Sequence, residues 1–88
     1  MDLSYWQKFE KRQQILMIGS ELLRAKEWQD KDKKNFLFAL EQAINLLDLT
    51  VSDKRWKNYL QSLLGLRDEL ANIYVGGKTK IEVLYQSL

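Results

Sequence analysis

Gly77-Lys78-Thr79 ends as a phosphate-binding loop ends, and it is the most specific chemical signature in the chain. In such a loop, backbone amides and the N-terminus of the next helix converge on phosphate. The motif also needs a small residue five positions before its last glycine, and Asn72 stands there. A strand must precede it, whereas the residues before Gly76 have helical periodicity. The stretch therefore reads as a helix C-cap followed by a turn.

Carboxylates are the next candidates. Glu27, Asp30 and Asp32 cluster, and Asp68 and Glu69 are adjacent. The first group falls at a polar turn, and the second pair diverges on a helix. Neither has the look of a buried acid and base held at separate pKa values. The chain has no histidine and no cysteine. Imidazole and thiolate ligands are thereby excluded, and with them most metal sites, nucleophile–base pairs and neutral-pH proton shuttles. No metal site, cofactor site or catalytic residue is expected.

Charge and aromatic side chains alternate in Asp53-Lys54-Arg55-Trp56-Lys57-Asn58-Tyr59. Cations near a helix start oppose its dipole, and such a local conflict can mark a contact with nucleic acid or an acidic partner. Lys54, Arg55 and Lys57 are the candidates for that contact. The net charge is only +2, so the bland reading, a solvated face beside core aromatics, is preferred and nucleic acid is not expected as the partner.

Three long helices must position these groups. The absence of proline leaves their periodicity unbroken. Ser4 with Gln7 forms a candidate capping box for a first helix reaching Trp28 or Gln29. Asp30 or Asp32 caps a second, from about Lys33 to Leu49. Ser52 caps a third, from Asp53 to about Tyr74, with Val51 and Trp56 at the spacing of a hydrophobic staple. Gly76-Gly77 ends it. Beyond, Ile81, Leu84, Tyr85 and Leu88 follow helical spacing, although residues 73–83 also read as a short hairpin. The helix is preferred, because a lone hairpin is marginal.

The second helix carries a core stripe of Phe36, Leu40, Ala43 and Leu47. The third carries Trp56, Leu60, Leu63, Leu70 and Tyr74, flanked by Tyr59, Leu66 and Ile73. Arg67 falls within that arc, with Glu41 or Asp48 as partners if it is buried and solvent if it lies at the edge. Gly19 is expected to admit a close neighbour near Ala39 or Ala43. The expected architecture is all-α: an antiparallel three-helix bundle with a short C-terminal helical segment, residues 1–88 forming one domain.

The first helix is apolar on too many sides for a bundle of three. Tyr5, Phe9, Leu16 and Leu23 share one face, Ile15, Ile18, Leu22 and Ala25 a second, and Trp6, Met17 and Trp28 a third. Two neighbours cannot cover them all, so either the tail or a second subunit does. The expectation is a homodimer through Trp6, Met17, Trp28, Phe38 and Leu49, with another protein as the further partner class. The whole reads as a non-enzymatic protein-interaction module: adaptor, accessory or regulatory subunit. The nucleic-acid regulator is the alternative. The acidic start, the short apolar runs and the lack of cysteine give the expectation of a cytoplasmic chain without leader or membrane contact.

Overall fold

Asp2, not Ser4, starts the first helix: its carboxylate accepts the Tyr5 amide at 2.9 Å. In the computed structural model, which describes residues 1–86, that helix is one turn long, α1 (Leu3–Trp6). The chain then turns, with Lys8 and Phe9 amides bonding to the Tyr5 and Trp6 carbonyls. Helix α2 (Lys11–Trp28) begins afresh, and the Gln13 side chain accepts the Glu10 amide at 3.0 Å. The single long helix expected here is thus two. The break lets Trp6 reach the last turn of the Lys33–Val51 helix, where it is fully buried and its Nε1 donates to Thr50 Oγ1 at 3.1 Å. No periodicity argument contains that side-chain bond.

Helix α3 (Lys33–Val51) is capped by Asp32, whose carboxylate accepts the Asn35 amide at 3.1 Å. Asp53, one residue later than expected, opens the third arm by accepting the Arg55 amide at 3.0 Å. Residues Lys54–Tyr59 wind as a 3-10 helix before α4 (Leu60–Tyr74). A 3-10 helix advances ~20° more per residue than an α-helix. The phase is therefore reset, and the buried stripe of α4 becomes Leu63, Leu70 and Ile73, with Leu66 packed beside them. Leu60 and Tyr74 are left exposed. Arg67 is rotated to the bundle edge, where its guanidinium pairs with Asp48.

Gly76 takes a φ of 116°, and the Gly77 amide donates to the Asn72 carbonyl at 2.9 Å. A Cβ at Gly77 would stand 2.9 Å from that carbonyl. The Gly-Lys-Thr stretch is therefore a helix terminator whose amide is already engaged. The tail is helical, α5 (Ile81–Gln86), with Ile81 and Leu84 buried. Leu88, expected on the same stripe, lies outside the described residues.

The architecture is an all-α bundle. Helix α2 packs on α3, α3 on α4, and α5 on α2. The core is built from Ile18, Leu22 and Ala25 of α2, the expected stripe of α3, and the buried residues of α4 and α5. Helices α2 and α4 are not among the closely packed pairs. They flank α3 and leave a space between them that the described part of α5 fills only in part.

One buried amide fastens the end where all the irregular segments meet. Gln14 donates to the Trp6 carbonyl at 2.9 Å and to Asp53 at 3.3 Å, and accepts the Trp56 indole N–H at 2.6 Å. Among the described residues every buried side-chain polar atom is bonded. Gln14→Met keeps the volume, leaves the buried Trp56 indole without its acceptor, and takes one bond each from the Trp6 carbonyl and the Asp53 carboxylate. We expect a loss of about 2–4 kcal/mol in urea unfolding. A loss under about 1 kcal/mol would show that the network is replaceable.

Candidate functional site

The space between α2 and α4 is a groove of about 650 Å³. Ile15 of α2, Trp56 and Tyr59 of the 3-10 segment, Leu63 and Leu66 of α4, and Leu84 of α5 line it. Ile15 also borders adjoining clefts that take in Leu16, Leu23 and Tyr85. Leu16 is 60% exposed and Tyr59 53%, so the apolar rim is open to solvent. Gly19 is buried and lines the cleft with Tyr85 and Gln86, on the side of the tail.

Two ends close the groove. At the far end, Gln29 accepts the Ile81 amide at 2.9 Å and donates to the Thr79 carbonyl at 3.0 Å. Lys80 pairs with Asp30 at 2.8 Å, which brings α5 against the end of α2. At the near end stand the starts of α2 and of the 3-10 segment. Lys11 Nζ lies 4.8 Å from the Trp56 ring centre and 5.0 Å from that of Tyr59, a cation–π arrangement that holds the ammonium at the rim. Arg12 lines the same end and is exposed.

Asp53 anchors this near end. The Arg55 guanidinium bonded to it, at 2.6 Å, is the main reason that its carboxyl is lowered from 3.8 to about 2, against the opposing effect of burial. The Arg55 amide and Gln14 add smaller contributions in the same direction. Arg55 also donates to the Phe9 carbonyl at 2.9 Å, tying the turn after α1 to the 3-10 segment.

The residues singled out from sequence scatter. Trp6 is sealed inside its own chain. Met17 and Leu49 are half-buried and packed against the core. Trp28 is 39% exposed and Phe38 60%, and both are available to solvent. Of the basic candidates, Arg55 is engaged by Asp53, while Lys54 and Lys57 are exposed. Among the candidate carboxylates, Glu27 faces Lys31 at 3.7 Å, Asp30 faces Lys80, and Asp32 caps α3. No three carboxylates among the described residues converge as a metal site. No described helix is long and apolar enough to cross a membrane.

The groove itself was missed. Its signal was present: Leu16 and Leu23 on one arm, Tyr59 and Leu66 on the other, each pair seven apart. Two such seams mark two walls facing a common space. Protein-family models, curated proteins and solved structures give no match to the chain.

The lowered Asp53 carboxyl fixes a sign. Its ionised form favours the folded state above its ordinary value of 3.8, and that contribution is lost as pH falls from 3.8 through about 2. The urea midpoint of the native chain should drop over that range. Asp53→Asn should start lower at neutral pH and fall less steeply below roughly pH 5. Parallel curves for the two proteins would contradict this.

Proposed function

We propose that this chain is a non-enzymatic protein-interaction module that holds a helix of another protein in the α2–α4 groove, an accessory or adaptor role. The observation that carries the reading is a fourth-helix position only partly filled. Helix α4 has 15 residues and spans ~22 Å, whereas the described part of α5 has 6 and spans ~9 Å. Among the described residues, over half of the wall has no covering helix.

Gly65 supports the same reading. It lies inside α4 and lines the groove, and a Cβ there would meet nothing within 4 Å. Internal packing gives no reason for glycine at this place, and in a helix it destabilises by roughly 0.5–1 kcal/mol relative to alanine. A missing side chain on an open wall lets an incoming helix approach closely.

Self-association was expected to use Trp6, Met17 and Leu49 among others, and these are wholly or partly buried within the chain itself. A second copy is therefore an outcome of the test and not its premise. With Arg55 occupied by Asp53, the basic face expected to suit nucleic acid retains Lys54 and Lys57.

The test uses a labelled, uncharged amphipathic peptide of about 14 residues, long enough for ~20 Å of helix. Anisotropy should report binding to the native chain. Leu16→Glu and Gly65→Leu should each weaken it by about tenfold or more with the far-ultraviolet circular dichroism unchanged. Gly65→Ala should stabilise the free chain by about 0.5–1 kcal/mol in urea. Equal binding by all variants would overturn the reading. So would a failure of the peptide to bind alongside a sedimenting dimer that Leu16→Glu dissociates.

A further inference from the structure

We infer that the groove's occupant is an amphipathic partner helix that runs antiparallel to α2 and α4 and sets carboxylates against Lys11 and Arg12. The inference rests on the groove reading above and adds the partner's charge and direction.

Two helix starts meet at the near end, those of α2 and of the 3-10 segment. Each is capped by a carboxylate, Glu10 and Asp53, but neither has an acidic residue within its first turn, and both place cations there. Each start is also the positive end of a helix dipole, so Lys11 and Arg12 sit where their own helix repels them. The N-cap carboxylate of Glu10 and the rings beside Lys11 offset the conflict only in part, and among the described residues neither cation has an ion-pair partner. Asp53, the nearby buried carboxylate, is already bonded to Arg55 and Gln14. The stacking of Lys11 on Trp56 and Tyr59 keeps its charge at the mouth of an apolar groove, and not out in bulk solvent. The opposite end of the same wall carries Glu69, likewise without an ion pair among the described residues.

The field along the groove therefore runs from positive at Lys11 to negative at Glu69. A helix laid in it is favoured with its carbonyl end, the negative pole, toward Lys11. Helix α5 already starts at the far end, beside Gln29, and reaches Gly19 and Leu16 with its last described turn. A partner helix in the same sense continues the alternating packing of the bundle. The narrow cation group at the end of an apolar channel suits an acidic helix better than nucleic acid, which calls for a longer row of phosphate contacts.

Three labelled peptides of about 14 residues share one apolar face and differ only in the last turn, which carries glutamates, glutamines or lysines. A fourth carries its glutamates in the first turn. At low salt the C-terminal glutamate peptide should bind the native chain about tenfold more tightly than the lysine peptide, and more tightly than the fourth. In Lys11→Glu/Arg12→Glu the order of the glutamate and lysine peptides should invert. The native-chain series stands alone if the double variant does not fold. Equal affinities across the series would overturn the inference and leave the groove reading intact. Failure of the glutamine peptide to bind would remove the groove reading itself. Tighter binding of a mixed-sequence single-stranded DNA than of any peptide, lost in the double variant, would replace the acidic helix with nucleic acid.

Discussion

Gln14 is the constraint on which the rest of the structure depends. A primary amide buried in an apolar bundle is unfavourable unless all its polar atoms are bonded. Here its oxygen and nitrogen engage the carbonyl of Trp6, the carboxylate of Asp53 and the indole of Trp56. These partners come from α1, from the start of the third arm and from the 3-10 segment. The bonds are directional, so they fix where α1 stops and where the third arm starts. Arg55 and Thr50 extend the same network to Phe9 and to the indole of Trp6.

The groove follows from that fastening. With the near end tied through Gln14 and the far end through Gln29, α2 and α4 are each pinned to α3 and to short irregular segments. Between the two fastenings no hydrogen bond or ion pair among the described residues joins α2 to α4. Gly65 and Ser62 on the α4 wall are small. Among the described residues, α5 covers only part of the opening. The apolar floor, open middle and basic mouth are thus consequences of one arrangement of hydrogen bonds and chain lengths.

Much of the fold was legible in the sequence because it rests on local rules. The caps at Asp32 and Gly76, the stripe of α3 and the helical tail all follow from spacing and from the chemistry of single residues. The break after Trp6 was not legible, since it serves a bond between Trp6 and Thr50, far apart in sequence. The stripe of α4 was displaced because a 3-10 start shifts the phase of every later residue, and this also moved Arg67 to the edge. The excess apolar surface of the first arm was read correctly as surplus. Its destination was not, because periodicity shows that a face is apolar and says nothing of which neighbour is short. Trp6 illustrates the limit: large, aromatic and apparently unpartnered in the sequence, it is one of the most deeply held side chains in the molecule.

The most direct test is a residue-by-residue map of the occupied surface. Backbone amide shifts of the uniformly labelled native chain are recorded during titration with the C-terminal glutamate peptide. The account predicts the largest changes along both groove walls, from Lys11 to Gly19 and from Tyr59 to Leu66, with the outer face around Phe38 undisturbed. Changes centred on Phe38 and Asn45, with the groove amides unmoved, would contradict it.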